Sequence, residues 1–284
     1  MSSTTSHGDI VVGVDPARNW RPALGWAAEE ARLRGRGLRL VVAVPQQHQE
    51  QRATRHTVRV ETATDALRTA VGWLQDHRPE VRATPAVLHG FPSAVLAGLS
   101  RGASLIVLGS RRLSRTEEFL SAGSLVVPVT AQSYCPVAVV NDTETAEGKD
   151  RHLVVGVDGS ETSLVAVGLA YEEAELRGCA LRVVAVWQPP VFSTRAGAGA
   201  SFETARRSLS ESTAGWGEKY PEVRVSHEVL VGAPVEVLAE VAEGAGALVV
   251  GRRGQGGYSG MRVGSVVRGL LHRATCPVIT VPPA

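Results

Sequence analysis

The sequence predicts an α/β protein built from two tandem doubly wound three-layer domains, each with a mainly parallel five-stranded sheet. Two observations lead to this fold class. The chain of 284 residues contains one pattern twice, since Val11-Val-Gly-Val-Asp15 returns as Val154-Val-Gly-Val-Asp158. Within each copy, short runs of β-branched residues alternate with longer segments of helical periodicity, which is typical of strand-helix-strand units with parallel strands.

The repeat also predicts the domain boundaries. Later segments correspond in the same order, as in Glu29-Glu-Ala-Arg-Leu-Arg-Gly35 and Glu172-Glu-Ala-Glu-Leu-Arg-Gly178. Repeats of this length indicate two copies of one domain rather than a solenoid of small units. We therefore expect domain 1 over residues 1–143 and domain 2 over residues 151–284, with the polar segment Asn141–Asp150 as the linker.

Five strands are expected in domain 2, near residues 152–158, 181–187, 223–230, 247–251 and 277–281. Their nearly continuous apolar character is typical of strands that are buried on both faces of a parallel sheet. The first helix begins near Ser160 and ends at Gly178, because glycine readily adopts the left-handed conformation that closes many helices. Pro234 and Ser265 begin two later helices, Ser265 as a capping residue. The Gly/Ala-rich stretch Arg195–Ala200 predicts a mobile loop beside the crevice.

A glycine-rich loop follows the fourth strand of domain 2 and leads directly into a helix. It runs from Gly251 to Ser265 with the spacing G-x2-G-x9-G-S. Glycines allow a close backbone approach, so that successive N–H groups can converge on an anion. The helix N-terminus adds partial positive charge, and the Ser265 hydroxyl can cap the helix and donate to the anion. Because such a loop lies at the ligand crevice of a doubly wound fold, it predicts a phosphate site.

The loop spacing, the aspartate that ends each first strand and the Cys-Pro-Val start of each last strand resemble the universal stress protein family, over nearly the whole chain. The resemblance is to ATP-binding members, and it implies ATP as the ligand, with any Mg²⁺ carried by the phosphates. It implies an adenosine side of Gly156, Asp158 and Val186, and a ribose and phosphate side of Gly251, Arg252, Gly254, Gly264, Ser265 and Val266. Arg253, at the same loop tip, is a further candidate for phosphate contact.

Domain 1 departs from this pattern in its loop. Arg112 stands where the second glycine is expected, and one more residue precedes Gly123. Glu117 and Glu118 bring carboxylates that oppose a triphosphate, although neighbouring arginines could supply compensating charge. Two alternatives stay open, namely nucleotide binding with altered affinity and a degenerate copy kept for packing. The candidate residues of domain 1 are Gly13, Asp15, Val44, Gly109, Ser110, Gly123 and Ser124.

Charge and composition exclude several classes of partner. Thirty basic residues against 28 acidic ones leave a net charge of +2, so no overall field indicates nucleic acid or an anionic membrane. No apolar run approaches the roughly 18 residues of a membrane helix, and the first residues lack the pattern of a secretory signal. Three cysteines, an odd number, suit a reducing compartment. We therefore expect a cytoplasmic protein.

The missing motifs favour a binding protein over an enzyme. Lys149 and Lys219 are the only lysines and no G-x-x-x-x-G-K-[ST] is present, which excludes a P-loop ATPase. No nucleophile, base and orienting acid are grouped, and no histidine pair has metal-ligand spacing. With the resemblance, this predicts a stress-response regulatory protein, a nucleotide-dependent conformational or interaction module with at most slow ATP hydrolysis.

Two alternatives differ in class from this prediction. One is a weak ATPase or an adenylate-transferring enzyme of the same fold. The other is a dimerisation or scaffold protein that binds no nucleotide. The family resemblance also implies pairing through the last strands, Val137–Val140 and Val278–Val281, between the two lobes and in a homodimer, so binding and assembly can coexist.

Overall fold

The computed structural model describes residues 8–45, 53–110, 125–142, 152–188, 195–255 and 262–283. Two compact units divide the chain, Met1–Glu144 and Thr145–Ala284, and they are called domain 1 and domain 2 below. Each contains a parallel sheet with alternating helices, so the predicted α/β fold class is confirmed. Within the described residues, no helix combines the length and the apolar character that a membrane crossing requires.

The elements of domain 1 alternate strand and helix, and its strand order is β3-β2-β1-β4-β5. They are β1 (Ile10–Gly13), α1 (Arg21–Arg34), β2 (Leu38–Val44), α2 (Ala53–His77), β3 (Ala83–His89), α3 (Pro92–Leu99), β4 (Leu105–Ser110), α4 (Val126–Gln132) and β5 (Val137–Asn141).

The elements of domain 2 follow the same plan, with the strand order β8-β7-β6-β9-β10 and, within the described residues, one short helix that domain 1 does not show. They are β6 (Leu153–Val157), α5 (Glu161–Arg177), β7 (Leu181–Trp187), α6 (Arg195–Thr213), α7 (Trp216–Lys219), β8 (Val225–Val231), α8 (Pro234–Val241), β9 (Ala247–Gly251), α9 (Ser265–Arg273) and β10 (Val278–Val281).

Local sequence signals account for the ends of α5 and the start of α8. The Ser160 side chain accepts a hydrogen bond from the Ser163 N–H, which satisfies one of the helix's first amide groups. Gly178 closes α5 with φ 61°, a left-handed conformation that favours glycine. Pro234 lies in the first turn of α8, where its missing N–H costs no hydrogen bond. These three predictions are confirmed.

Three other local predictions are wrong. Gly264, not Ser265, is the cap residue of α9, and no side chain caps that helix. Arg195–Ala200 is helical, as the first part of α6. Strand β8 is not buried on both faces, because it pairs only with β7 at one end of the strand order. His227 and Val231 are therefore exposed, and this strand tolerates the polar residues that a central strand excludes.

The strand order creates the crevice of domain 2. Strand β6 lies between β7 and β9 and is parallel to both. The connection after β6 leads to β7 on one side, and β9 occupies the other side, so the carboxyl ends of β6 and β9 meet where the order reverses. Asp158 follows β6 and Gly251 ends β9, and the fold therefore brings the start of the glycine-rich loop beside the aspartate.

Candidate functional site

A cavity of about 380 Å³ lies at the carboxyl ends of the domain 2 strands. This volume is within the roughly 300–1,000 Å³ of typical small-molecule sites. The structure places nine of the ten residues expected in this domain on its wall, and Arg252 is the exception. The nine are Gly156, Asp158, Val186, Gly251, Arg253, Gly254, Gly264, Ser265 and Val266.

One side of the cavity is apolar. Val184, Val186, Leu238 and Val250 contribute aliphatic side chains to the wall. A Cβ atom at Gly156 would lie 3.1 Å from Leu238 Cδ1 and 3.2 Å from Val250 Cγ1, so the absence of a side chain there lets these groups pack closely. This surface suits a flat, largely apolar ring such as a nucleobase.

The loop begins with two close backbone approaches. A Cβ atom at Gly251 would lie 2.8 Å from the Thr162 carbonyl carbon and 2.9 Å from the Ser163 nitrogen, so β9 and the start of α5 approach closely because this residue is glycine. At Gly254 a Cβ atom would lie 2.4 Å from Asp158 Oδ2. Glycine at 251 is therefore required by the packing of β9 against α5, and glycine at 254 leaves room for the Asp158 carboxylate.

Asp158 fastens that turn to the loop. Its Oδ1 accepts hydrogen bonds from the Ser160 N–H at 3.0 Å and from the Ser160 hydroxyl at 2.6 Å. Its Oδ2 accepts from the Gln255 N–H at 3.0 Å. The side chain is exposed at the cavity wall, so the carboxylate is both a loop anchor and a group that a ligand can reach.

The other anchor of the loop is the Arg253 carbonyl. The buried Thr162 hydroxyl donates a short hydrogen bond to this oxygen, and Ser160 Oγ, whose proton goes to Asp158, lies 3.3 Å from it. The carbonyl of the preceding residue, Arg252, accepts from the Gly264 N–H at 2.9 Å. Both ends of the loop are therefore held at the cavity by backbone hydrogen bonds.

Helix α9 begins directly at the cavity. Its first residues, Ser265 and Val266, lie on the wall, and the helix has no side-chain cap hydrogen bond. The first amide groups of a helix have no acceptor within the helix. They therefore present partial positive charge toward the cavity, which favours an anion there.

Arg252 has a different place from the one expected. Its residue surface is only 9% exposed, and it does not line the cavity. Burial, with the nearby charges of Arg253 and Arg262, lowers the pKa of its guanidinium. The side chains of Arg253 and Arg262 are exposed, so they add positive potential at the loop from the solvent side. Arg252 supports the loop through its backbone, whose N–H donates to the Val281 carbonyl and whose carbonyl accepts from the Gly264 N–H.

Domain 1 has a different arrangement after its first strand. Asp15 Oδ2 forms an ion pair with Arg18 Nε at 3.0 Å, and Oδ1 accepts from the Ala17 N–H at 3.0 Å. Gly13 repeats the role of Gly156, since a Cβ atom there would lie 2.9 Å from Leu108 Cδ2. The other described candidates stand at strand ends, Val44 buried in β2 and Gly109 and Ser110 closing β4. Gly123 and Ser124 lie outside the described residues.

Several residues of the domain 2 site were not expected from the sequence. Leu238 and Ser163 line the cavity, and Thr162 and Gln255 fasten the loop. Leu238 lies one helical turn after the predicted helix start at Pro234, so the helical period could have indicated it. Thr162 has no such signal, because a threonine in a first helical turn is common and its partner is far away in sequence.

Comparisons with known proteins agree on one family. The model of the universal stress protein family matches residues 7–141 and 150–282, once for each domain. Universal stress protein Rv2623 of Mycobacterium tuberculosis is 32% identical over 301 aligned positions, which cover 98% of each chain. Universal stress protein Rv1996 of the same organism is 31% identical over 98% of this chain and 96% of its own length. A crystal structure of a universal stress protein from Archaeoglobus fulgidus has the same fold, with a TM-score of 0.74 at 17% identity over 98% of this chain and 97% of that one.

Proposed function

The chain belongs to the universal stress protein family, and from that premise we propose that domain 2 binds an adenine nucleotide, ATP, in the cavity between β6, β7 and β9. Occupancy by ATP then biases the conformation of the glycine-rich loop, and a partner protein recognises that conformation. The observation that carries the proposal is the convergence of three features on one cavity. These are an apolar wall, an exposed carboxylate and a glycine-rich loop that ends at the uncapped N-terminus of α9.

The adenosine end follows from the apolar wall and Asp158. Val184, Val186 and Leu238 offer aliphatic contact to the flat face of a base. The Asp158 carboxylate lies where such a wall meets the loop, and it can accept hydrogen bonds from the ribose hydroxyl groups or from an amine. A purely apolar ligand would make no hydrogen bond to this carboxylate.

The phosphate end follows from the loop and the helix. The amides at the start of α9 point their partial positive charge at the cavity, and Arg253 supplies a full positive charge on its wall. Magnesium, if bound, is carried by the phosphates, since among the described residues no cluster of three or more acidic, histidine or cysteine side chains is placed to hold a metal.

Binding rather than turnover is the proposed activity. The described wall of the cavity includes neither histidine nor lysine, and its one carboxylate already accepts three hydrogen bonds. A carboxylate that holds the loop and faces the adenosine end is not placed to take a proton from water that attacks the phosphates. The proposal therefore allows slow ATP hydrolysis through charge stabilisation alone, and sustained release of phosphate or pyrophosphate at many turnovers per minute would contradict it.

Three further expectations belong to this proposal. The protein acts in the cytoplasm, in the response to stress, and it assembles through the last strands, Val137–Val140 and Val278–Val281. Sedimentation of the purified chain with and without ATP tests the assembly. A monomer at all concentrations would contradict the expected homodimer.

The direct test measures ATP binding to the whole chain with and without Gly254→Ala. The added methyl group would meet Asp158 Oδ2, so we expect this variant to lose ATP affinity by at least tenfold. Gly217→Ala is the matched control, because outside its own helix no described atom lies within 4 Å of a Cβ atom there. Titration calorimetry with ATP, ADP, AMP and cyclic AMP gives the preference, and native mass spectrometry gives the number of nucleotides per chain. Wild-type protein that binds none of the four would refute the proposal.

A further inference from the structure

Thr162 is a buried hydroxyl in the first turn of α5, with 6% of its surface exposed. Its Oγ1 donates a short hydrogen bond to the carbonyl of Arg253, more than ninety positions later in the chain. Ser160 Oγ lies 3.2 Å from the same hydroxyl and also reaches the Arg253 carbonyl. Two hydroxyl groups of one helical turn thus meet a single carbonyl of the glycine-rich loop.

The position of that carbonyl determines the direction of the next amide. In a trans peptide the C=O of Arg253 and the N–H of Gly254 belong to one rigid plane and point in opposite directions. No cis peptide occurs in the described residues. Because Thr162 holds the carbonyl against α5, the Gly254 N–H points away from that helix.

The Gly254 amide then lies beside the other end of the loop. A Cβ atom built on Gly264 would be 3.8 Å from the Gly254 nitrogen, and both glycines line the cavity. Within the part of the chain that the structure describes, no hydrogen bond uses the Gly254 N–H. This donor therefore lies next to the uncapped N-terminus of α9, where an anion would meet both.

We infer that Thr162 is a positioning residue of the site, which turns the Gly254 N–H toward the phosphates of the bound nucleotide. The inference rests on the proposed function, because it assigns the phosphate contact of that same cavity. Asp158 fixes the following peptide through the Gln255 N–H, so two successive peptide units of the loop are held by Thr162 and Asp158. Thr162 stays behind the loop and does not line the cavity.

The first domain supports this assignment by contrast. At the positions that correspond to Ser160 and Thr162 it has Ala17 and Asn19. The Asn19 side chain accepts a hydrogen bond from the Arg21 N–H at 3.3 Å, at the start of its own helix. Domain 1 therefore lacks both hydroxyl groups that hold the loop in domain 2.

The test compares ATP with adenosine in the variants Thr162→Val and Thr162→Ser. Valine keeps the volume and removes the donor, so we expect about a tenfold loss of affinity for ATP and less than a twofold change for adenosine. Serine keeps the hydroxyl and is expected to restore most of the ATP affinity. A merely structural role for Thr162 would lower both affinities together. Thr213→Val, which removes another buried hydroxyl of the same domain outside the cavity, is the control.

Two readouts separate this inference from the proposed function. If wild-type protein binds ATP and Thr162→Val binds it equally well, the inference is wrong and the proposed function stands. Hydrogen exchange of the nucleotide-free protein gives the second readout, since loss of the Thr162 contact is expected to speed exchange of the hydrogen-bonded Gln255 amide at least fivefold. Unchanged exchange in Thr162→Val would overturn the inference whether or not ATP binds.

Discussion

The two domains share one framework and differ in the turn that follows their first strand. Glu30 and Arg34 form a partly buried ion pair on α1, and Glu173 and Arg177 repeat it on α5. The helices α1 and α5 end at glycines with the same φ of 61°. In contrast, the first-strand aspartate pairs with Arg18 in domain 1 but anchors the glycine-rich loop in domain 2.

This difference indicates which part of a duplicated domain is free to change. The buried framework is constrained by packing on every side, so equivalent side chains persist in both copies. The turn after the first strand lies at the crevice, and its side chains interact with the loop or with solvent. Replacement of Gly-Ser-Glu-Thr (159–162) by Pro-Ala-Arg-Asn (16–19) therefore leaves the fold intact and changes what the aspartate does.

The largest expected contrast concerns the glycine that ends the fourth strand of each domain. Gly251→Ala would push a methyl group into the backbone of Thr162 and Ser163, which we expect to destabilise domain 2 by about 1–3 kcal/mol and to abolish ATP binding. In Gly109→Ala the nearest described atom is Ala23 Cβ at 3.6 Å, an ordinary contact. Scanning calorimetry checks both variants. Equal loss of stability in the two would show that the close approach is not particular to domain 2.

A smaller contrast is expected at the two aspartates. Asp158→Ala removes the acceptor of three hydrogen bonds at the loop, so we expect ATP affinity to fall at least tenfold, or about 1.4 kcal/mol. Among the described residues, Asp15→Ala breaks an exposed ion pair with Arg18 and a hydrogen bond from the Ala17 N–H, and the affinity of domain 2 should not change. Titration calorimetry gives both values and the number of sites. If Asp15→Ala removed a second nucleotide per chain, domain 1 would be a binding domain too.

The smallest expected contrast is the loss of stability at low pH that involves strands β7 and β8 of domain 2. Arg182 forms a two-pronged ion pair with Glu228 at 2.9 Å, and hydrogen bonding from Arg182 is the main cause that lowers the pKa of that carboxyl below its usual 4.5. Because the folded-state pKa is lowered, the pair stabilises domain 2 above pH 4.5, and this stability is lost as the pH falls through the lowered value.

We expect Glu228→Gln to cost about 0.5–1 kcal/mol at pH 7 and progressively less as the pH falls below 4.5. Urea unfolding over a series of pH values measures this change. Domain 1 carries Ala86 at the position that corresponds to Glu228, so its unfolding should lack this component. A cost for Glu228→Gln that did not fall with the pH would show that charge is not its cause.

The sequence was informative wherever a property depends on a short segment. The glycine end of α5, the proline start of α8 and the strand positions of domain 2 follow from local backbone preferences and from apolar runs. Predictions from local sequence were wrong where tertiary contacts determine the local structure or its burial. Glycine and alanine at Arg195–Ala200 read as a loop, yet the segment is helical. The exposed residues of β8 follow from its place in the strand order, which no single run of residues reveals.

By itself the sequence determined that one domain is written twice, that each copy is an α/β unit, and that a glycine-spaced loop enters a helix in the second. These properties are encoded by residues near one another in the chain. Only the tertiary structure decided that Arg252 is buried, that Gly264 rather than Ser265 is the cap residue of α9, and that Thr162 holds the Arg253 carbonyl. Such contacts join segments far apart in sequence, and their geometry exists only once the parallel strands have brought the segments together.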